Sequence, residues 1–144
     1  MKCLIVDDDA VCREILRETL SPHGECDTAI NAHDALHMFR NALDNGDLYD
    51  LVCLDIIMPG PSGHEVLQAI RDLETERRIF CSDGVKVIMV TSVIDPKHIV
   101  QAFRRGCETC IFKPFRKDEL LGKIRELGLL TGPANRHSPT ITKP

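Results

Sequence analysis

The sequence is poor in aromatic side chains, with no Trp, one Tyr and five Phe in 144 residues. It also lacks a long apolar run: the segment from Met1 to Val6 leads directly into three acids, so it is too short for a signal peptide or a membrane-spanning helix. Basic residues are not in excess, because the formal net charge is -4. A surface that binds a phosphate backbone is therefore not expected. We predict a cytoplasmic protein that binds neither a membrane nor, directly, a nucleic acid.

What is present is enough for one globular domain. Hydrophobic residues make up 43% of the chain, which fills a single packed core at this length. The periodicity typical of helices and strands continues to about residue 127 and then stops. The segment 128–144 is rich in Gly, Pro and polar residues, which is typical of a flexible tail or the stump of a linker. The predicted domain therefore spans residues 1–127.

Seven cysteines, an odd number, are scattered along the chain, and most lie within apolar runs. This placement predicts reduced thiols that pack in the core. Cys107 and Cys110 differ, because their C-x-x-C spacing suits a disulfide or half of a zinc site, and no second such pair completes a zinc site. A thiol switch at these two cysteines is one alternative function. The six histidines are interpreted as surface groups.

Short runs rich in Val, Ile and Leu alternate with segments in which apolar residues recur three and four positions apart. The runs lack the alternation of a half-exposed strand, so they are typical of a parallel sheet that is covered on both faces. The intervening segments are predicted amphipathic helices. Five strand-helix units in succession indicate an α/β fold with a doubly wound sheet of five parallel strands. We expect the flavodoxin-like strand order 2-1-3-4-5 for this sheet. The predicted strands are Cys3–Val6, Cys26–Ile30, Leu51–Leu54, Val85–Val90 and Thr109–Phe112.

Three acids are predicted to meet at one edge of this sheet. Asp7 and Asp8 follow the first strand and Asp55 ends the third, and these strands are neighbours in the predicted order. Carboxylates placed so close repel one another unless a cation compensates. An all-oxygen set of ligands suits Mg²⁺, with Mn²⁺ as the alternative ion. Asp9, the next acid in the run, is predicted to cap the following helix.

A carboxylate beside such an ion can attack a phosphoryl group and form an aspartyl phosphate. Asp55 is the candidate nucleophile. The charge on the transferred phosphoryl oxygens also needs an ammonium and a hydroxyl group, which Lys113 and Thr91 supply at the ends of other predicted strands. Ser92 keeps the approach to the site small, and the bond between Lys113 and Pro114 is a candidate cis peptide.

These motifs resemble the receiver domain of two-component response regulators, the family that includes the chemotaxis regulator. The segments that carry the resemblance are Val6-Asp7-Asp8-Asp9, Leu54-Asp55-Ile56-Ile57-Met58-Pro59-Gly60, Val90-Thr91-Ser92 and Phe112-Lys113-Pro114-Phe115. They occur in the family's order and approximate spacing, over residues 1 to about 127. The resemblance implies roles for single residues: Mg²⁺ binding by Asp7, Asp8, Asp55 and the backbone carbonyl of Ile57, phosphoryl acceptance by Asp55, and switching or phosphate pairing by Thr91 and Lys113.

The resemblance further implies a stand-alone signalling module rather than an enzyme, one that assists only its own phosphorylation and dephosphorylation. Its phosphoryl donor would be a histidine kinase, a phosphotransfer protein or a small phosphodonor. Phosphorylation would alter a surface that extends from about Lys97 to Leu127 and binds a downstream protein or a second copy of the chain.

The sequence departs from the family pattern in two places. Cys110 stands where the family usually has an aromatic ring, which leaves the transfer of the signal through this position open. Ile57 and Val93 are apolar where many relatives are polar, and we hypothesise that they shield the acyl phosphate from water. Two other functions are weighed: a binding module that never uses phosphate, and a phosphatase of the haloacid dehalogenase type, which would need a second acid where Ile57 stands.

Overall fold

The computed structural model describes residues 1–80 and 83–130. The strands are β1 (Lys2–Val6), β2 (Glu25–Ala29), β3 (Leu51–Leu54), β4 (Lys86–Thr91) and β5 (Thr109–Phe112). The helices are α1 (Ala10–Leu20), α2 (Ala32–Asn45), α3 (Gly63–Glu76), α4 (Pro96–Arg104) and α5 (Lys117–Glu126). All five strands are parallel and form one sheet in the order β2-β1-β3-β4-β5. The predicted fold class and strand order are thereby confirmed.

The helices cover both faces of the sheet, which explains why β1, β3 and β4 are mostly apolar without alternation, whereas the edge strand β2 is more polar. α1 and α5 pack on one face through residues such as Leu16 and Ile124. α2, α3 and α4 pack on the other face through Phe39, Ile70 and Ala102. All of β3 is buried, as expected of a strand with neighbours on both sides and helices above and below it.

Polar side chains mark the positions where the helices begin. Asp9 caps α1 and accepts a hydrogen bond from the backbone N–H two residues later at 3.0 Å, which confirms its predicted role as a cap. α3 begins with a capping box, in which the side chains of Ser62 and Glu65 each accept from the other's backbone N–H. Asp95 caps α4 just before Pro96. These caps fix the start of each helix, and with it the loop that joins the helix to the preceding strand.

The last turns of α3 are held by a partly buried ion-pair network. Arg71 donates to the carboxylate of Glu74 at 2.8 Å, to that of Glu108 at 3.1 Å and to the backbone carbonyl of Gly106. Glu74 in turn accepts from the backbone N–H of Val85 at 2.6 Å. The network ties α3 to the start of β4 and to the turn that precedes β5.

The prediction that all histidines lie at the surface is wrong for His64, which is only 4% exposed. Its Nε2 lies 3.0 Å from Nδ1 of His98 on α4. The burial results from the docking of α3 against α4, which the periodicity of either helix alone does not reveal.

The cysteines within the described residues agree with the prediction of reduced core thiols, since all six are free and four of them are buried. Cys81 lies outside the described residues, as does the predicted tail from residue 131 onward. Across the ranges that the structure does describe, no helix combines the length and the apolar character that a membrane crossing requires.

Candidate functional site

The register of the strands brings the predicted acids together. Val6 at the end of β1 pairs with Leu54 at the end of β3, so Asp7 and Asp55 leave the sheet side by side. Carboxylate oxygens of Asp7, Asp8 and Asp55 lie within 4.8 Å of one another. Asp7 and Asp55 are only 1% and 7% exposed, whereas Asp8 is exposed. The three acids therefore form a cluster that is open to solvent on the side of Asp8.

Lys113 places an ammonium group between the two buried carboxylates. Its Nζ lies 2.8 Å from Oδ2 of Asp7 and 3.2 Å from Oδ2 of Asp55. The residue directly follows β5, and its backbone N–H donates to the carbonyl of Thr91 at 2.9 Å, which holds the ends of β4 and β5 together. Burial by itself would lower the pKa of Lys113, but its interactions with the two carboxylates outweigh that effect and raise the pKa. The side chain is therefore a cation at neutral pH.

The Asp55 carboxyl group holds its proton more readily than an exposed aspartate does. Its pKa is raised first by burial and second by the charge of Asp7. The charge of Lys113 and hydrogen bonding from Lys113 and Thr91 act in the opposite direction. A divalent cation at the cluster would favour the ionised form in the same way, and ionisation is what a nucleophilic carboxylate requires.

The remaining predicted site residues lie at the ends of β4 and β5. Thr91 is fully buried, and its Oγ1 accepts a hydrogen bond from the backbone N–H of Val93 at 3.1 Å. Ser92, the next residue after Thr91, is exposed. The peptide bond between Lys113 and Pro114 is cis. One edge of the sheet thus carries the acids, the hydroxyl group and the ammonium group that the proposed chemistry uses.

The loop after β3 is shaped by the close approach of α3. The backbone N–H of Gly63 donates to the carbonyl of Ile56 at 2.7 Å. A Cβ atom at Gly63 would lie 2.0 Å from the carbonyl oxygen of Asp55, so a larger residue does not fit unless the loop or the helix moves. The side chain of Ile57 in this loop is 53% exposed. The first residue of α3 therefore packs directly against the backbone of the segment that carries Asp55 and Ile57.

Two residues of α1 belong to the site although the sequence analysis did not find them. The buried Cys12 thiol interacts with Asp7 and Lys113; burial, followed by its hydrogen bond to Asp7, raises the pKa of this thiol to about 12. Arg13 donates from Nη1 to the backbone carbonyl of Asp7 at 2.8 Å. Both residues lie in the first turn after the Asp9 cap. The helical periodicity counted from this cap could have predicted that they lie near Asp7.

The donor atoms of the acid cluster fit a hard divalent cation. The converging ligand atoms are all carboxylate oxygens, which suit Mg²⁺ or Mn²⁺ better than zinc. Within residues 1–80 and 83–130, no other group of three acidic, His or Cys side chains comes close enough to share an ion. The cluster is therefore the candidate metal centre of the described chain.

Comparison with known protein families matches residues 3–125 to the response regulator receiver domain. Among curated proteins, the chain is 32% identical over 126 residues to the DNA-binding response regulator MtrA of Mycobacterium tuberculosis, a match that covers 86% of this chain and 49% of that protein. It is 34% identical over 125 residues to the probable transcriptional regulator ycf27 of Guillardia theta, covering 86% of this chain and 44% of that protein. The chain thus spans about half the length of these curated relatives.

Solved structures are similar to the chain over most of its length. The response regulator TrrA of Thermotoga maritima, in complex with Mg²⁺-BeF, is 33% identical with a TM-score of 0.68, and the match covers 88% of this chain and 97% of that one. A CheY-like response regulator receiver domain protein from Methanospirillum hungatei is 28% identical with a TM-score of 0.73, covering 88% of this chain and 93% of that one. The similarity therefore extends over the whole described fold rather than over one motif.

Proposed function

The chain belongs to the response regulator receiver domain family of two-component systems, and on that premise we propose that it accepts a phosphoryl group on Asp55. The observation that carries the proposal is the position of Lys113, whose Nζ lies 2.8 Å from Asp7 and 3.2 Å from Asp55. A partly buried ion pair of this kind is weak evidence for a role in stability. An ammonium group at the edge of the sheet is, in contrast, well placed to pair with an incoming phosphoryl group.

In the proposed reaction, a carboxylate oxygen of Asp55 attacks the phosphorus atom of a phosphohistidine on a histidine kinase or a phosphotransfer protein. The P–N bond breaks, its electron pair stays on the imidazole nitrogen, and an acyl phosphate forms on Asp55. A small phosphodonor such as acetyl phosphate reacts in the same way, with cleavage of its P–O bond. Lys113 and the hydroxyl group of Thr91 stabilise the negative charge that spreads over the phosphoryl oxygens.

Asp7, Asp8 and Asp55, together with the backbone carbonyl of Ile57, are the proposed ligands of Mg²⁺ or Mn²⁺. When bound, the ion supplies positive charge that offsets the repulsion among the acids and the charge of the phosphoryl oxygens. The carboxylate of Asp7 is held in place for this role, because its Oδ1 accepts from the backbone N–H of Asp9 at 2.9 Å. The similar TrrA was solved in complex with Mg²⁺-BeF, which supports the same kind of ligand here.

The proposed output is a change in the surface from Lys97 to Leu127, which then binds a downstream protein or a second copy of the chain. This surface exposes apolar side chains that a partner can cover: Val100 and Phe103 on α4 are each 48% exposed, and Phe112 in β5 is 40% exposed. We place this signalling step in the cytoplasm. We propose that the chain assists its own phosphorylation and dephosphorylation and catalyses no reaction of another substrate.

Incubation with acetyl phosphate and Mg²⁺, followed by measurement of the intact mass, tests the proposal. We expect one added phosphoryl group in the wild type, none in Asp55→Asn, and none in the wild type when EDTA is present. Asp9→Asn is the matched control, because it removes an acid from the same run while Asn caps a helix as well as Asp does. Labelling that persists in Asp55→Asn, or that needs no divalent ion, would overturn the assignment.

A further inference from the structure

The C-x-x-C pair of Cys107 and Cys110 lies outside the phosphoryl site, on the face of the sheet that α4 covers. Cys107 is buried in the core between the sheet and α2 to α4, and Cys110 packs against the same core. In a regular strand, residues three apart point to opposite faces of the sheet. Here the chain bends at Glu108 and β5 begins only at Thr109, so both cysteines face the same core.

The backbone between α4 and β5 is fixed by hydrogen bonds to three other elements. The N–H of Cys107 donates to the carbonyl of Ala102 in α4 at 3.1 Å. The N–H of Glu108 donates to the carbonyl of Val87 in β4 at 2.8 Å. The carboxylate of Glu108 accepts from the N–H of Val87 at 2.7 Å and from Arg71 of α3 at 3.1 Å. These bonds fix the backbone at Cys107 and Glu108, and the pairing of Cys110 with Met89 in β4 fixes the other cysteine, so little further backbone ordering is needed to join them.

The two thiols differ in acidity. Hydrogen bonding from Cys107 lowers the pKa of the Cys110 thiol, against the opposing effect of burial. The pKa of the Cys107 thiol is raised, first by the hydrogen bond to Cys110 and then by burial. Cys110 is half-buried, whereas Cys107 is buried. Cys110 is therefore the more accessible of the two thiols and the one that ionises more readily.

The other described cysteines do not share this combination of features. Burial raises the pKa of both Cys12 and Cys53 to about 12. Cys3 and Cys26 are partners in the register of β1 and β2, but burial is the leading cause of a raised pKa in each of them as well. Among the described cysteines, Cys110 alone has a thiol with a lowered pKa.

We propose that Cys107 and Cys110 form a redox modification site, which hydrogen peroxide converts to an intramolecular disulfide and thiol reductants restore. The Cys110 thiolate attacks one peroxide oxygen, the O–O bond breaks, and the leaving hydroxide takes a proton to become water; Cys110 is then a sulfenic acid. The Cys107 sulfur attacks the sulfur of this sulfenic acid, the S–S bond forms, and hydroxide leaves with the Cys107 proton as water. Two thiols are oxidised, and one peroxide is reduced to two water molecules.

The disulfide would connect the turn after α4 to β5, within the surface from Lys97 to Leu127. Cys110 lies in β5, the strand that Lys113 directly follows, so the bond would restrain the strand that positions this lysine. The oxidised chain would then present a stiffened surface whether or not Asp55 carries a phosphoryl group. Only the two thiols take part in this oxidation, which involves neither Asp55 nor a bound ion.

Peroxide treatment of the full chain, followed by alkylation and tryptic mapping, tests this proposal. Trypsin cuts after Arg105 and Arg116 but not between Lys113 and Pro114, so the peptide 106–116 carries both cysteines and no other. We expect this peptide to lose the mass of two hydrogen atoms and to escape alkylation. Treatment with dithiothreitol should restore both alkylation sites.

Serine variants assign the role of each sulfur. In Cys107→Ser, peroxide should leave a sulfenic acid on Cys110 that dimedone traps, and in Cys110→Ser the dimedone label on this peptide should be lost. Cys26→Ser is the matched control, because it removes the other half-buried cysteine and should leave the disulfide peptide unchanged.

Two results would overturn the proposal. One is full alkylation of both cysteines in the wild-type peptide at a peroxide dose that oxidises Cys26. The other is a disulfide between Cys107 and any cysteine except Cys110. The wild-type map needs no variant to fold, and labelling of the reduced protein by acetyl phosphate is measured separately. A failure of the thiol proposal is therefore distinguishable from a failure of phosphoryl acceptance.

Discussion

One lysine side chain accounts for much of the electrostatic character of the site. The ammonium group of Lys113 offsets part of the repulsion between two carboxylates at the ends of β1 and β3. Lys113 contacts both Asp7 and Asp55. Either carboxylate can therefore bind a different cation while the ammonium group stays paired with the other carboxylate. A structural ion pair with a single partner lacks this freedom, since removal of its partner leaves an uncompensated buried charge.

The apolar side chain of Ile57, beside the phosphoacceptor, is expected to lengthen the lifetime of the acyl phosphate. Ile57 lies two residues after Asp55 and is 53% exposed, and we hypothesise that it limits the access of water together with Val93. Ile57→Asn replaces this cover with a polar group that can orient water, so we expect the half-life of the phosphorylated protein to fall several-fold. This half-life is measured by intact-mass spectrometry, as the loss of the phosphorylated species over time after acetyl phosphate is removed.

Ile15→Asn is the control for this prediction. Ile15 is an apolar residue of α1 that is 44% exposed, and it is not among the site residues. Its substitution should leave the half-life unchanged. If Ile57→Asn also decays at the wild-type rate, Ile57 does not shield the acyl phosphate.

The chemical groups of the site were easier to predict than their surroundings. Asp7, Asp55 and Lys113 each follow or end an apolar run, and parallel strands bring their carboxyl ends to the same edge of a sheet. The contact of Cys12 with Asp7 could not be predicted in the same way, because it depends on how α1 is rotated about its axis. His64 was missed for a similar reason, since its partner belongs to another helix.

At the scale of elements, the first residue of α3 sets the position of the phosphoacceptor loop. A Cβ atom at Gly63 would lie 2.0 Å from the carbonyl oxygen of Asp55. Gly63→Ala must therefore displace the helix or the loop, and overpacking of this kind lowers the free energy of unfolding by about 1–3 kcal/mol. Urea unfolding measures the loss. Labelling by acetyl phosphate should also become slower, because Asp55 is displaced.

Gly122→Ala is the matched control for that substitution. Gly122 lies inside α5, and an added Cβ atom would meet no neighbouring atom within 4 Å. Ala is more favourable than Gly in a helix interior by roughly 0.5–1 kcal/mol, so the same change should raise stability here and leave labelling unaffected. Equal losses at both glycines would contradict the close approach of α3 to the loop.

One side-chain hydrogen bond joins α3 to α4, and it is made through a single proton. Nε2 of His64 lies 3.0 Å from Nδ1 of His98, with the ring centroids 5.3 Å apart and the planes inclined by 7°. The rings therefore lie edge to edge in nearly one plane, joined by one N–H···N hydrogen bond. Nδ1 of His64 is buried and has no hydrogen-bond partner among the described residues. Full protonation of both rings would set two N–H groups against each other and break this hydrogen bond.

This contact predicts how stability changes with pH. Burial first, and then the charges of His98 and Arg105, lower the pKa of His64 below its ordinary value of 6.5. As the pH falls below about 6.5, the unfolded chain takes up a proton that the native state resists, so the free energy of unfolding decreases. Between about pH 7.5 and 5.5, we therefore expect the wild type to lose stability relative to His64→Leu in urea unfolding.

An exposed histidine provides the control for the pH dependence. His23 is exposed, so His23→Leu should follow the wild-type curve of stability against pH. If the free energy of unfolding of His64→Leu also changes with pH as that of the wild type does, proton uptake by His64 does not contribute to the loss of stability.

At the scale of the whole molecule, local patterns were sufficient to predict the architecture. The bounds of β3 and β5 agree with the predicted runs, because polar and turn residues delimit both strands. The strand order β2-β1-β3-β4-β5 is the flavodoxin-like arrangement that was predicted for a doubly wound sheet of five parallel strands. Contacts between helices were not predictable, because they depend on helix rotation and on small differences in strand register that composition does not encode.

The topology also makes ion binding a measure of global folding, because the acid cluster exists only when β1 and β3 are paired. An ion that binds only the folded chain stabilises it by about 1.4 kcal/mol at ten times its dissociation constant. We expect Mg²⁺ to raise the urea midpoint of the wild type and EDTA to reverse this effect. Asp8→Asn should lose most of the response without disturbing the core, because Asp8 is exposed, whereas Asp9→Asn should keep it. An equal response in Asp8→Asn, or one that NaCl of the same ionic strength reproduces, would mean that Mg²⁺ screens charge instead of binding at the cluster.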